Sequence, residues 1–215
     1  MLIVEDLSVS IGGKLILDSI SLEGRLQEIT ALLGPSGSGK STFLRSFFPK
    51  AYPEMRIKGS INWDGSLPPG YVGQDPFTSF SPYHNLERTL EEPQLLRNEE
   101  RINFIKKRDS LLDRFSLNKS LIKKYPKECS GGELQRIAIL RAVLFGSPWI
   151  LMDEPFTALD RKIQYEIVLE IQRLIKEEQV GIFLISHDLE LIHVLSNKIY
   201  NMEKGKITNE SIRKK

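Results

Sequence analysis

The chain has 215 residues, 40% hydrophobic and 27% charged, and 30 Lys and Arg against 28 Asp and Glu leave a formal charge of +2. So much apolar content at so small a net charge excludes intrinsic disorder, and the length fits one globular domain with room for an inserted subdomain. The longest apolar runs (29–33, 149–152 and 182–185) fall far short of the roughly 20 residues of a membrane helix, and the balanced charge argues against a nucleic-acid face.

Glu5 and Asp6 stand where a secretory signal would carry basic residues, and no long apolar segment follows them. The one cysteine, Cys129, cannot form an internal disulfide, and no Cys/His cluster has metal-ligand spacing. The expected compartment is the cytoplasm. The Arg213-Lys214-Lys215 end reads as a solvated tail.

Residues 2–33 read as strands. Leu2, Val4, Leu7 and Val9 alternate imperfectly, Gly12-Gly13 marks a hairpin, and Leu15, Leu17, Ile20 and Leu22 resume the pattern. The uniformly apolar run Ile29 to Leu33 predicts a strand buried on both faces, followed by a glycine-rich turn and a helix from Lys40 to Phe48. Short strands are expected at 59–63 and 70–74, split by a turn at Pro68-Pro69-Gly70. From about 75 to 146 the chain turns helical: Leu86 to Arg97, Glu100 to Phe115 and Gly131 to Phe145, punctuated by Pro76, Pro82, Pro93 and Pro126. Strands at Trp149–Asp153, Val180–Ser186 and Ile199–Met202 then alternate with helices at Arg161–Glu178 and Leu189–Leu195, ending in a Gly205 turn. In the first of those helices Ile163, Ile167, Ile171, Leu174 and Ile175 form one apolar stripe.

Gly34-Pro35-Ser36-Gly37-Ser38-Gly39-Lys40-Ser41 fits the phosphate-binding pattern G-x-x-x-x-G-K-[ST] and lies between a buried strand and a helix start, as that pattern requires. Glycines let successive N–H groups turn inward, and the helix adds its positive end. Lys40 is expected on the β- and γ-phosphates, Ser41 on Mg²⁺ and Thr42 near the α-phosphate. The strand Trp149 to Asp153 delivers Asp153 and Glu154 to its carboxyl end, the ligand edge of an open α/β sheet. Asp153 is expected in the Mg²⁺ shell, and Glu154 is expected to orient or deprotonate the attacking water.

Cys129-Ser130-Gly131-Gly132-Glu133-Leu134-Gln135-Arg136 opens a helix and resembles the LSGGQ signature of ATP-binding cassette (ABC) ATPases. Gln74 then resembles the Q-loop glutamine, Thr157-Ala158-Leu159-Asp160 the D-loop, and His187 the switch histidine; His84 and His193 receive no role. The resemblance spans the whole chain and implies an α/β fold of the P-loop NTPase class, an ABC nucleotide-binding domain. In that reading residues 1–215 are one domain: an F1-like core, an antiparallel β-subdomain and a helical subdomain inserted at about 75–146. It implies ATP and Mg²⁺ as cofactors and Lys40, Gln74, Glu154 and His187 as catalytic residues. Ser41, Gln74 and Asp153 would meet the metal. The nucleotide contacts would be residues 34–42 with Ser130, Gly131, Gly132, Glu133 and Asp160.

Ser130 and its glycines form a second anion site about 90 residues beyond the P-loop. The family resolves this with a head-to-tail dimer, in which one subunit's signature closes on the phosphate held by the other's P-loop. Counting back from the P-loop, the adenine-stacking aromatic of many relatives falls at Ile11, which lacks a π face, so weaker adenine recognition is expected. Cys129 replaces the usual leucine as a small buried hydrophobe, and Glu133 replaces glutamine, a variation expected to leave hydrolysis intact.

With one cassette and no membrane segment, a transporter role requires separate permease subunits and a second ATPase chain, as a homo- or heterodimer, peripheral to the inner membrane face. Residues 74–82 and Tyr125-Pro126 resemble the oligopeptide, dipeptide and nickel importer ATPases. On that resemblance Phe77, Phe80 and Tyr83 either line a permease-docking groove or belong to the helical core. The alternatives are a soluble ABC-type ATPase of a phosphonate-degradation complex and an ABC exporter ATPase.

Overall fold

The computed structural model describes residues 1–65, 67–97 and 100–212, so the expected tail at 213–215 lies outside the described residues. Strands β1 (Leu2–Ile11) and β2 (Lys14–Gly24) form a hairpin through Gly12 and Gly13. Strand β3 (Ile29–Leu33) leaves this sheet, and β4 (Met55–Trp63) returns to pair with β1. The result is a three-stranded antiparallel sheet in the order β2-β1-β4. The broken alternation of β1 has a local cause. Its register against β2 shifts between Val4 and Leu7, where Asp6 takes a φ of 48°, and the extra residue turns Leu7 and Val9 back to the buried side.

The second sheet joins β3 with β5 (Gly70–Val72), β6 (Trp149–Asp153), β7 (Gly181–Ile185), β8 (Lys198–Glu203) and β9 (Lys206–Ile212), in the order β5-β6-β7-β3-β8-β9. All neighbours are parallel except the terminal β8–β9 hairpin. Every residue of β6 and β7 is buried, as continuous apolar runs in a parallel sheet require. Pairing Asp153 with Ile185 and Leu32 with Ile185 brings the carboxyl ends of β6, β7 and β3 level on one edge.

Six α-helices lie among the described residues. Helix α1 (Lys40–Arg45) is shorter than expected. After Arg45 the bonds tighten to i→i+3, Phe48 N–H donating to the Arg45 carbonyl at 2.9 Å, and Pro49 opens a 3₁₀ turn. Helices α2 (Leu86–Arg97), α3 (Arg101–Arg114) and α4 (Gly131–Phe145) occupy the chain between β5 and β6. Because those two strands are hydrogen-bonded neighbours, the helices form an insertion into the sheet. Helices α5 (Arg161–Glu177) and α6 (Leu189–Leu195) follow, and the α5 stripe is buried at Ile167, Ile171, Leu174 and Ile175.

Two large apolar cores result, beside a small cluster of Ala31, Ile192 and Ile199. One joins the β1-β2-β4 sheet to β6, β7 and α1 through Trp149, Phe183, Phe43 and Phe47; the other joins α2, α3, α4 and α5 to the sheet. Ion pairs tie the insertion to α5: Arg114 bonds Glu170 and, at 2.8 Å, Glu177, while Lys107 meets Glu178 at 2.6 Å.

Expectation and structure differ by one residue at each end of α3 and β8 and at the end of α5, and also elsewhere. Strand β4 starts at Met55 rather than 59, β5 ends at Val72 rather than 74, and β7 is one residue shorter at each end than expected. Strand β9 was not expected at all. Its residues are almost all exposed, so this edge strand is specified by pairing with β8 and carries no apolar alternation.

Candidate nucleotide site

Two glycines of the loop after β3 are dictated by contact. A Cβ on Gly34 would overlap the Met202 carbonyl of β8, and one on Gly39 would lie 2.6 Å from Leu17 Cδ2, where φ is already 107°. The loop is therefore pinned between the two sheets, and any larger residue would push it out of register with α1. Ser38, 3% exposed, lies beneath it, and its carbonyl accepts from Gly205 N–H at 2.9 Å. Lys40 turns back into the loop, its Nζ donating to the carbonyls of Gly34 and Pro35 at 2.8 Å each. Burial pushes the Lys40 ammonium below its ordinary value, opposed by the charges of Glu154 and Asp153.

A cleft of about 410 Å³ opens over this loop, lined by Gly34, Ser36, Gly37, Gly39, Lys40, Ser41 and Thr42 with Gln74, Asp153, Glu154 and His187. Four separate segments of chain thus meet at the carboxyl edge of the sheet, where open α/β folds hold ligands. Asp153 is 3% exposed, and its Oδ1 is buried with no hydrogen-bond partner. Burial raises the Asp153 pKa, countered by Ser41, Arg45, Lys40 and Tyr71. An orphaned carboxylate oxygen beside a serine hydroxyl and a glutamine amide is an all-oxygen donor set, which suits a hard divalent cation such as Mg²⁺. Among the described residues no cluster of three His, Cys, Asp or Glu side chains could hold a metal by itself.

Glu154 takes a φ of 52°, a left-handed conformation uncommon for a side chain of this size. It is held there by its N–H, which donates to the Ile185 carbonyl at 2.9 Å and ties the end of β6 to β7. The turn aims the carboxylate into the cleft, where Oε2 lies 2.7 Å from His187 Nδ1. His187 is 75% exposed against 14% for Glu154, so the histidine is the freer partner of the pair.

The remaining expected residues fall elsewhere. Ile11 ends β1 opposite Lys14 and Met55, and the apolar wall of the cleft comes instead from Ile16 of β2, with Ile185 behind. The sign of Ile16 in the sequence is the unbroken run Leu15-Ile16-Leu17, in which one residue must face away from the strand's buried side. Ser130, Gly131, Gly132, Glu133 and Asp160 do not line the cleft. Ser130 caps α4, and Asp160 caps α5 by accepting from Ile163 N–H at 3.0 Å. The signature turn packs on the D-loop segment: a Cβ on Gly131 would lie 3.6 Å from Ala158 Cβ. Cys129 is buried.

Pairing alone could not have separated Phe77, Phe80 and Tyr83. Phe80 is 6% exposed under Arg141, whereas Phe77 and Tyr83 are 50% and 86% exposed. Gln135, fully buried, donates to the Gly73 carbonyl at 3.4 Å, and Arg141 donates to the Ser79 carbonyl at 2.8 Å, so α4 holds both sides of the Gln74 segment.

A parallel sheet, a glycine loop opening a helix, and acids on the neighbouring strand ends define an α/β nucleotide-binding domain of the P-loop class. The profile of the ABC transporter family matches residues 17–157, and the chain belongs to that family. It is 35% identical over 202 residues to a sulfate/thiosulfate import ATP-binding protein (CysA) of Rhodopseudomonas palustris, covering 89% of this chain and 57% of the relative. It is 32% identical over 209 residues to an oligopeptide transport ATP-binding protein (OppF) of Streptococcus mutans, covering 89% and 66%. The chain thus spans about three-fifths of the length of such curated relatives. Among solved structures, an ATP-binding subunit of an ABC transporter superimposes with a TM-score of 0.88 at 22% identity, covering 99% of this chain and 90% of that one. The cassette MJ0796, a dimer in a post-hydrolysis state with ADP and Pi, does so at 0.84 and 23%, covering 99% and 98%. At these identities the superpositions establish the fold.

Proposed function

We propose that this chain hydrolyses ATP as the motor subunit of an importer whose membrane-spanning part is separate, working as a pair of cassettes with two triphosphates between them. One observation carries the reading. Lys40, Ser41, Gln74, Asp153, Glu154 and His187 share one cleft, while the signature turn at Ser130 faces out of it. A cleft holding a phosphate cradle, an acid pair and a histidine lacks a cap, and a second cassette supplies one.

In this reading the Lys40 ammonium exchanges the Gly34 and Pro35 carbonyls for phosphate oxygens. Ser41, Gln74 and Asp153 would hold Mg²⁺, which when bound would supply charge neutralisation at the phosphates. Glu154, fixed by its strained backbone, orients a water and takes its proton, and His187 leaves Glu154 to donate toward the γ-phosphate. Gln74, on a segment held by α4, reports the state of the cleft to the insertion. The site-residue roles, the single-domain organisation and the inner-face location all rest on this reading.

Relatives named for sulfate/thiosulfate and Fe³⁺ import support an import role, and others are named for oligopeptide transport. Within it, the residues from Gln74 to Pro82 favour peptides or nickel-type metal ions as cargo, and exposed Phe77 and Tyr83 are where a permease would dock. Two measurements test the proposal. Glu154→Gln should abolish phosphate release and, with ATP and no Mg²⁺, sediment as a dimer. A tagged chain should co-purify with two membrane subunits; recovery with a soluble enzyme complex instead would overturn the importer assignment.

A further inference from the structure

The outward-facing signature turn is not an open anion site in the free chain. Glu133, the third residue of α4, reaches back to the residue that caps the helix. Its Oε2 accepts from Ser130 N–H at 2.7 Å and from Ser130 Oγ at 2.8 Å, while Ser130 Oγ accepts from Glu133 N–H at 3.2 Å. The serine hydroxyl is thus engaged as donor and as acceptor, and its backbone N–H is taken as well. This is a reciprocal cap, a stable local arrangement. It also sets a negative charge on the donors that would have to receive a phosphate.

The surroundings hold that charge in place: the hydrogen bonds from Ser130 first, then Lys124 and Arg136, keep the Glu133 carboxyl below its usual value against the cost of burial. Upstream, the Glu128 carboxylate likewise accepts from a backbone donor, Tyr125 N–H at 2.7 Å. Two carboxylates therefore bracket Cys129-Ser130-Gly131. The buried Cys129 thiol registers their field: burial first, then Glu133, raises its pKa, and Glu128 adds to the rise while Lys124 opposes it.

We propose that Glu133 is an electrostatic brake on cassette closure: its carboxylate stands in for the phosphate at Ser130, and the second cassette's triphosphate must displace it before the pair can close. This rests on the two-cassette reading above. It makes Glu133 a residue that sets how much ATP closure requires, acting through Ser130 rather than on the reacting atoms. A glutamine at this position would keep the geometry of the reciprocal cap, since its amide oxygen can accept from Ser130 N–H, more weakly and without the charge. Removing one like charge from a partly screened surface site next to a phosphate is worth on the order of tenfold in binding.

The test compares Glu154→Gln with Glu133→Gln/Glu154→Gln, titrating ATP and following dimer formation by sedimentation, with thermal melts of both. The double variant should melt slightly below its parent, having lost a charge-assisted cap, and yet dimerise at about tenfold lower ATP, with the gap between the two shrinking as salt is added. A purely structural cap would leave both the midpoint and its salt dependence unmoved. Equal midpoints at low salt overturn the brake alone. A parent that never dimerises with ATP overturns the two-cassette reading and the brake with it.

Discussion

Asp153→Asn should make the nucleotide-free protein more stable while removing its activity. Asp153 is 3% exposed, and its Oδ1 has no hydrogen-bond partner. Burial disfavours the charged form of this carboxylate, and an amide of the same shape carries no such charge. Some of this is offset by the Ser41 hydrogen bond, by attraction to Arg45 and Lys40 and by Tyr71, yet burial outweighs them, because the net effect on the Asp153 pKa is upward. Neutralising the side chain should therefore gain about 1 kcal/mol, a rise in Tm of about 2–4 °C for a chain of this size.

The sign with pH follows from linkage. An acid whose pKa is higher in the folded than in the unfolded protein penalises the native state fully above the folded value, and the penalty fades as pH falls toward the unfolded one. The advantage of the variant should thus be largest near neutral pH and shrink on acidification through the range just above the ordinary Asp value of 3.8. Adding Mg²⁺ with a non-hydrolysed nucleotide should reverse the ranking, since only the carboxylate gains a cation there. Thermal melts across pH, with and without Mg²⁺ and nucleotide, measure both effects. A lower Tm for Asp153→Asn at neutral pH without ligand would refute the reasoning, showing that Lys40 and Arg45 already satisfy the carboxylate.

Gly34→Ala forces a methyl group against the Met202 carbonyl, a backbone atom that cannot turn aside. It should cost about 1–3 kcal/mol, toward the upper end, and weaken ATP binding in parallel; denaturant titration and calorimetry with ATP check each arm. Arg114→Met removes the insertion's partner for Glu170, whose side chain is 5% exposed. Breaking a fully buried pair costs about 3–5 kcal/mol, and here about 2–3 is expected because Arg114 is 28% exposed and Arg173 still lies 3.6 Å from Glu170. Urea denaturation reads that loss, and an unchanged midpoint would mean that the ion pairs do not anchor the insertion.

Local patterns accounted for the elements that carry strong local signals. Helices α2, α4 and α6 and strands β3 and β6 begin and end where periodicity, caps and apolar runs place them, because each is bounded by its own chemistry: Ser130 and Gly146 at α4, Asp188 at α6. Strand β9 was invisible for the opposite reason. Its partner β8 supplies the hydrogen bonds that define it, and no alternation marks a strand with one exposed edge and little burial. The bulge at Asp6 was legible only as a defect in the β1 pattern, until pairing explained it.

The order of residues along the chain determined the P-loop, the acid pair at a strand end and the helical insertion, because glycine spacing, apolar runs and helical periodicity are properties of neighbouring residues. Only the tertiary structure decided that Ile16 rather than Ile11 walls the cleft and that His187 rests on Glu154. Both join segments far apart in sequence, whereas the bond from Glu133 back to Ser130 is a local cap of the S-x-x-E type. Packing selects among such long-range options, and sequence spacing leaves them equal in energy.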